Sequence, residues 1–477
     1  MTQAHPQHRW FALIVLCSGV LMIVLDTTIV NVALPSIRAD LRFSDAGLVW
    51  VVNAYLLTFG GCLLLGGRLG DLYGHRRLFL IGLALFTLAS LACGVSGTQV
   101  LLVVARAVQG IGGAIVSAVA LSLITTLFPE PAERAKAMGI YGFVCAGGGC
   151  IGVLAGGVLT SAFGWHSVFL VNLPIGVLVF ALCLRLVPAM RVTLQHRSLD
   201  MAGAITVTAA LMLAVYAIVG GNEAGWGSPR TLILLAAAAI LLCVFLAIEA
   251  RVRAPLMPLS MFRLRNIAVS NVVGVLWAAA MFAWFFITAL YMQLVLGYSP
   301  MQVGLAFFPS DLIMAIFSLG LSAKVVMRFG LRKPALAGLL LAALGLVLFA
   351  LAPREGNFPL HILPGMVLLG IGAGLAFNPV LLAAMSDAKP EDAGLASGLV
   401  NTAFMMGGAL GLAVLASAAA ARTSALGGAA SAAALTGGYH AAFAAGAIFA
   451  AVAGLLCLLL REGGHAPGSE PVVEQAA

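Results

Sequence analysis

Apolar residues occur along this chain in long, almost unbroken runs, which short polar stretches separate. Each run is close to or longer than the roughly 20 residues that cross a bilayer as a helix. Because lipid offers no hydrogen-bond partner to peptide groups, each run is predicted to be helical. The predicted spans are residues 10–35, 47–67, 78–97, 100–127, 137–161, 165–187, 199–220, 231–250, 266–293, 301–325, 334–352, 359–386, 393–419 and 437–460. The pattern therefore predicts an all-α polytopic membrane protein with about fourteen transmembrane helices.

Short motifs repeat between the two ends of the chain at a nearly constant offset. The matches pair 110–112 with 370–372 (Gly-Ile-Gly), 148–149 with 407–408 (Gly-Gly) and 74–77 with 330–333 (Gly-x-basic-basic), at offsets of 260, 259 and 256. Two parallel six-helix halves with a site between them near the midplane are typical of secondary transporters. The predicted domains are an N-terminal six-helix half (1–190), two inserted transmembrane helices (191–260), a C-terminal six-helix half (261–463) and a disordered cytoplasmic tail (464–477).

Composition and charge support a membrane location. Charged residues make up 9% of the chain, and the mean hydropathy is +1.10; a soluble domain has roughly 25% charged residues. When the loops are assigned to alternate sides, 19 of the 25 Lys and Arg residues fall on one side, five on the other and Arg106 within a span. Because positively charged loops stay in the cytoplasm, both termini are predicted to be cytoplasmic. The basic surplus therefore reflects topology, and no nucleic-acid partner is expected.

Three charged side chains lie inside predicted spans and away from the span ends: Asp26, Arg106 and Asp311. Such a residue costs about 2.5–3.5 kcal/mol at the bilayer centre on insertion scales, so it usually faces a cavity and serves transport. Burial of a carboxylate in a dry cavity favours its protonated form, which would let Asp26 carry a proton. Gln109 follows Arg106 by about one helical turn. These four residues are the predicted proton-coupling or cavity positions.

A structural role is the alternative for each ionisable residue. Asp26 could be a polar cap that hydrogen-bonds Thr27 or a neighbouring helix, and Arg106 could donate to several backbone carbonyls. Asp311 is either a second titrating group, contributed by the C-terminal half, or a hydrated residue near the outer mouth.

The loop between the second and third predicted spans combines small and charged residues. It contains Gly67, Asp71, Gly74, Arg76 and Arg77. Glycine permits tight backbone approach, and charges beside a helix end could hold adjacent helices together and release them as the halves rock. The motif predicts a conformational latch; an ordinary positively charged turn is the alternative.

Aromatic and polar residues within the spans are candidates for a substrate cavity. They are Asn31, Asn53, Tyr55, Asn271, Trp277, Trp284, Phe285, Tyr291, Gln293, Asn378 and Asn401. An apolar pocket with few polar groups suits a bulky amphipathic solute. Packing or interface anchoring is the alternative for each.

Six segments resemble the fourteen-span drug:proton antiporter branch of the major facilitator superfamily. They are 25–37 (Leu-Asp-Thr-Thr-Ile-Val-Asn-Val-Ala-Leu-Pro-Ser-Ile), 67–77 (Gly-Arg-Leu-Gly-Asp-Leu-Tyr-Gly-His-Arg-Arg), 106–112, 255–263, 291–300 and 396–402. The resemblance implies a major facilitator fold, two six-helix halves plus two inserted helices. It also implies proton-coupled export of drugs or of amphipathic or hydrophobic metabolites, with Arg106 assisting proton transfer.

The resemblance further implies a multi-pass protein of a bacterial cytoplasmic (inner) membrane. Its partners would be a small amphipathic organic substrate, protons and the lipid bilayer, with the proton gradient in place of any cofactor or metal. A monomer and a complex with a periplasmic adaptor are both open. The chain has no H-E-x-x-H, no G-x-S-x-G and no Gly-Lys pair of a phosphate loop, so it is not expected to be an enzyme.

Two positions depart from the family pattern. Val153 stands where the proline of the antiporter motif is expected, which keeps a proton-coupled uptake symporter of a small organic solute open as an alternative. Phe404 stands where an arginine is expected, which favours neutral or cationic apolar substrates. A non-transporting membrane sensor is a remote alternative.

Overall fold

A computed structural model describes residues 6–44, 47–187, 200–252, 255–317, 321–387, 393–428 and 431–461. In this part of the chain thirteen helices are long and apolar enough to cross a membrane, and Pro300–Ile316 is a shorter apolar helix. The α-helices are α1 Pro6–Leu41, α2 Val49–Tyr73, α3 His75–Gly94, α4 Gln99–Leu127, α5 Pro131–Phe163, α6 Ser167–Leu170, α7 Asn172–Leu186, α8 Met201–Ala224, α9 Pro229–Glu249, α10 Arg265–Leu294, α11 Pro300–Ile316, α12 Ser322–Phe329, α13 Arg332–Ala350, α14 Leu363–Ser386, α15 Ala393–Ala425 and α16 Ala432–Leu456. The predicted all-α polytopic architecture is confirmed. The predicted domain limits at residues 190 and 463 lie outside the described residues, and the division into domains stays a prediction.

Local sequence signals define the ends of several helices. Thr98, Asp200 and Ser228 each accept a hydrogen bond from a backbone N–H in the first turn of the helix that follows. Such caps satisfy donors that the helix itself leaves free. Between α2 and α3, Gly74 has a φ of 93°, a conformation that favours glycine because it has no Cβ. The sharp turn expected at Gly74 is therefore present.

The sixth and tenth predicted spans each contain two of these helices. In the sixth, α6 and α7 continue into each other through Val171, which has helical φ and ψ, and together they form the long helix Ser167–Leu186. The tenth, predicted over 301–325, is occupied by α11 and the start of α12, and residues 318–320 between them lie outside the described part. Because α11 alone is short, thirteen long helices correspond to the fourteen predicted spans.

Glycines at repeated positions let pairs of helices approach closely. A Cβ atom at Gly110 of α4 would lie 2.5 Å from the carbonyl oxygen of Tyr55 on α2. A Cβ atom at Gly370 of α14 would lie 2.6 Å from the carbonyl oxygen of Ser310 on α11. Small residues at such crossings are typical of membrane helices, whose association depends on close packing. The structural contact thus follows the sequence repeat.

The first six and last six predicted spans contact each other along two lines. On one line α5 packs on α11, where the Val153 carbonyl oxygen lies 2.8 Å from the position of a Cβ atom on Gly304. On the other line α2 packs on α15, where Asn53 Nδ2 donates to the Ala409 carbonyl (2.9 Å).

The two predicted inserted helices cover the line where α2 meets α15. α8 contacts both of these helices, and α9 packs on α8. On the α15 side, Asn222 Nδ2 donates to the carbonyl (2.6 Å) and the hydroxyl (3.0 Å) of Ser417. On the α2 side, Gly61 faces Thr208.

The two halves of α5 have different surroundings. In its second half, Gly152 and Gly156 pack against α1, and Gly157 packs against α11. In its first half, Gly139, Gly142 and Gly147 face open space. The close packing of α5 is therefore concentrated in its second half, and its first turns contact α1 through the ion pair of Glu133 with Arg9 (3.2 Å).

Candidate functional site

α1 and α4 are joined by a buried ion pair. Arg106 Nη1 lies 2.5 Å from Asp26 Oδ2, and the two side chains are 1% and 0% exposed. A buried charge without a partner is strongly destabilising, whereas a pair with good geometry compensates much of the desolvation. The two residues that the sequence marked as separate ionisable positions are therefore direct partners.

Amide and hydroxyl groups complete the hydrogen bonding of this pair. Gln109 Nε2 (2.8 Å) and Asn172 Nδ2 (2.9 Å) donate to Asp26 Oδ1. Gln109 Nε2 also donates to Ser90 Oγ (2.7 Å), and Gln109 Oε1 accepts from Arg106 Nη1 (2.6 Å). Hydrogen bonds to ionised groups are roughly twice as strong as neutral ones. The network thereby ties α1, α3, α4 and α7 together.

Aromatic rings and a carbonyl surround the guanidinium group. Arg106 Cζ lies 4.4 Å from the ring centroid of Tyr55 and 5.6 Å from that of Phe169. Both distances fall within the range of cation–π attraction. Arg106 Nε donates to the Val51 carbonyl of α2 (2.9 Å). Arg106 therefore also donates to backbone, as the structural alternative predicted.

The ion pair is closed off from solvent in this conformation. Asp26, Ser90 and Gln109 are completely buried, and Asn172 is 1% exposed. The expectation that Asp26 faces a cavity does not hold here, because donors from α4 and α7 close around its carboxylate. Its predicted part in proton coupling stays a prediction.

Asp311 lies apart from this network, on α11. Its side chain is 2% exposed, and its Oδ2 atom has no hydrogen-bond partner among the described residues. With Trp277 and Trp284 of α10 it lines a narrow cavity that α14 completes. Helix packing therefore buries the carboxyl group, and the choice between a second titrating group and a hydrated residue stays a prediction.

The predicted latch residues are only partly brought together. Arg76 Nη2 donates to the Leu184 carbonyl near the end of α7 (2.5 Å), and Arg77 is exposed. Asp71 belongs to α2, but its side chain lies outside the described part. A Cβ atom at Gly67 would make only an ordinary contact, 3.9 Å from Ala118. The close approach expected at Gly67 is therefore absent here; the preceding Gly66 lies against α4 instead.

Several predicted cavity residues bond to backbone instead of facing a cavity. The donors are Asn31 Nδ2 to Thr27 (3.2 Å), Asn53 Nδ2 to Ala409 (2.9 Å), Asn271 Nδ2 to Ile267 (2.8 Å), Tyr291 Oη to Pro353 (3.0 Å) and Gln293 Nε2 to Val32 (2.9 Å). Tyr55 contacts Arg106, and Trp277, Trp284 and Phe285 line the cavity of Asp311. Asn378 and Asn401 are half-buried, on α14 and α15. The predicted set therefore does not form one cavity in this conformation.

Residues 16–412 match the Major Facilitator Superfamily. The chain belongs to this superfamily. It is 40% identical to the puromycin resistance protein of Streptomyces alboniger, over 89% of this chain and 84% of that protein. It is 41% identical to the cephamycin export protein of Amycolatopsis lactamdurans, over 87% of this chain and 85% of that protein. The crystal structure of the nucleoside transporter NupG shares the fold, with a TM-score of 0.65 at 11% identity over 94% of this chain and 99% of that one. The motif resemblance is confirmed, and the chain is a multi-pass membrane transporter.

Two residues that hydrogen-bond within the ion-pair network, Ser90 and Asn172, were not predicted from the sequence. Ser90 and Asn172 are polar residues inside the predicted third and sixth spans. Because a polar side chain in lipid must find a partner within the protein, their position in apolar runs was the available signal. The contribution of the Val51 carbonyl had no such signal, since every residue carries one.

Proposed function

We propose that this protein exports drugs or amphipathic metabolites across a bacterial cytoplasmic membrane in exchange for protons. Both termini face the cytoplasm in this proposal, as the distribution of Lys and Arg predicts. The observation that carries it is the buried pair of Asp26 and Arg106, a charged network within membrane-spanning helices. The names of the two relatives, one for resistance and one for export, support the substrate class and the direction.

Asp26 is the proton-accepting group of the proposed cycle. A proton that adds to Oδ2 cancels the charge of the carboxylate and removes the ion pair between α1 and α4. Arg106 then keeps its bonds to Gln109 Oε1 and to the Val51 carbonyl, and its contact with the Tyr55 ring. A ligand shifts a conformational equilibrium only by binding one state better than the other. Proton binding at Asp26 would thus favour a state in which α1 and α4 are less firmly joined.

Substrate and proton act at different places in this conformation. The carboxylate of Asp26 is buried and closed to a bulky solute. The substrate would bind elsewhere, and protonation would act on it through helix movement. No cofactor is needed in this scheme, because the proton gradient supplies the free energy.

Transport by everted membrane vesicles tests the proposal. With an imposed acidic interior, vesicles containing the protein should accumulate puromycin or a cephamycin, and a protonophore should abolish the accumulation. Vesicles from the same strain without the gene provide the background. Accumulation that persists with the protonophore would contradict proton coupling.

A proton-coupled uptake symporter is the second candidate, and Val153 favours it. α5 runs without interruption through Val153, whose carbonyl lies against Gly304 of α11. Right-side-out vesicles with an acidic exterior separate the two candidates. A symporter accumulates substrate in them, and an exporter does not.

A further inference from the structure

A small cavity lies among α10, α11 and α14, away from the ion-pair network. Its volume is about 10 Å³, and its lining is mainly aromatic and aliphatic. This volume is the space that the centre of a water-sized sphere can occupy, and roughly 10–15 Å³ of it is needed to hold one water molecule. It can therefore hold about one water and excludes any organic solute in this conformation.

Three buried polar atoms without partners belong to residues that line this cavity. Among the described residues, Asp311 Oδ2, Trp277 Nε1 and Trp284 Nε1 have no hydrogen-bond partner. The three side chains are between 2% and 5% exposed. A buried polar group without a partner is destabilising, so a native structure rarely leaves three together. Their presence around one cavity indicates a ligand that accepts from indoles and reaches the carboxyl group.

Close packing holds the three side chains in position. α11 approaches α14 next to Asp311, where Gly370 contacts Ser310. The Trp284 ring packs against Phe285, Phe307 and Phe349, with centroids 4.5, 5.5 and 6.4 Å away. Rearranging this cluster to pair the polar atoms directly would disrupt these aromatic contacts, which contribute to stability beyond the apolar area that they bury.

Among the described residues, the surroundings offer the carboxyl group no countercharge. In sequence, α14 contains no charged residue, α10 has only Arg265 at its first position, and α11 has only Asp311 itself. On α5, the titratable group near Asp311 is the thiol of Cys150, which carries no positive charge in either protonation state, and the charged residues of α5 lie in its first two turns. On α1, the intramembrane charge Asp26 is engaged with Arg106.

We infer that Asp311, Trp277 and Trp284 form a second proton-binding site, in which one water molecule accepts from both indoles and hydrogen-bonds Asp311. An ionised carboxylate in apolar surroundings without a countercharge is costly, and the neutral acid avoids that cost. The added proton forms the O–H bond of the carboxyl group and leaves to water once α11 shifts against α10 and α14. Only the use of this proton to drive transport rests on the proposed function.

Infrared spectroscopy of the purified protein tests proton binding without any substrate. At neutral pH the wild type should show the carbonyl stretch of a protonated carboxyl group that Asp311→Asn lacks, while Asp26→Asn and Glu355→Gln keep it. Glu355 is an exposed residue between α13 and α14, so Glu355→Gln is a matched replacement of a carboxyl group by an amide. Identical bands in wild type and Asp311→Asn would overturn the inference.

Phenylalanine at both tryptophan positions tests the water. Trp277→Phe with Trp284→Phe removes the two indole donors and keeps aromatic packing. If a shared water connects them to Asp311, the carboxyl band should shift in the double variant. An unshifted band would show that the indoles and the carboxyl group hold no common water.

Transport then tests the use of the proton. In everted vesicles, Asp311→Asn should lose puromycin accumulation driven by the pH gradient and keep exchange of labelled for unlabelled puromycin. Retained exchange shows that the variant is folded, and Glu355→Gln should keep both activities. Undiminished gradient-driven accumulation by Asp311→Asn would contradict a role in coupling, whereas absence of transport by the wild type would count against the proposed function alone.

Discussion

The crossing of α2 with α4 and the crossing of α11 with α14 are built on the same contact. In the first, Gly110 lies against the carbonyl of Tyr55; in the second, Gly370 lies against the carbonyl of Ser310. The polar side chains beside the two crossings differ. The first has a carboxylate held by a guanidinium and two amides, and the second has a carboxyl group beside two indoles.

The sequence repeat explains why only one of the two acids has a cationic partner. At the offset of 260 that relates Gly110 to Gly370, the counterparts of Arg106 and Gln109 are Met366 and Leu369. Both are buried in the apolar packing of α14. The comparison teaches that backbone packing and polar chemistry vary independently in the two halves. One half can therefore hold an ionised pair while the other holds a neutral acid.

The largest expected effect is the loss of one partner of the ion pair. Asp26→Asn and Arg106→Ala should each destabilise the protein by about 3–5 kcal/mol, because each leaves a buried group uncompensated. Gradient-driven transport should be impaired, although both variants still insert in the membrane. Thermal unfolding in detergent and transport in everted vesicles provide the two measurements. Normal transport by both variants would refute the assigned site.

An intermediate effect is expected at the two repeated glycines. Gly110→Ala and Gly370→Ala each place a methyl group against a backbone carbonyl, which should cost about 1–3 kcal/mol through overpacking. Gly142→Ala is the control, since its methyl group would enter open space. Thermal unfolding of the three variants measures the effect. If only Gly110→Ala is destabilising, the two crossings are not equivalent.

The smallest effect on stability is expected from Asp311→Asn. The variant loses no ion pair and no hydrogen bond to the described residues, so its stability should change by less than about 1 kcal/mol. Comparing the stability loss of Asp311→Asn with that of Asp26→Asn compares the replacement of a neutral acid with the replacement of an ionised one. A loss as large as that of Asp26→Asn would mean that Asp311 has a cationic partner.

Much of the fold could be predicted from periodicity and composition, and less of the site. The apolar runs located the helices, including the sixth span, Ser167–Leu186. The charged latch motif predicted close packing at Gly67, whereas Gly66 has it; a helix rotates by about 100° per residue, so adjacent glycines face different neighbours. Polar residues inside apolar spans are unusual and can be recognised in the sequence. Their residue type does not predict whether they face a cavity or bond to the backbone of another helix, as Gln293 does to the carbonyl of Val32.

The sequence by itself determined that the chain spans a membrane, that it repeats and that Asp26, Arg106 and Asp311 lie inside apolar spans. Tertiary structure alone decided that Asp26 and Arg106, 80 residues apart, form a pair, and that Asp311 faces two indoles without a countercharge. The physical reason is that a partner on another helix depends on how the two helices cross and rotate. Contacts such as Gly110 with Tyr55 set that geometry, and they exist only in the assembled bundle.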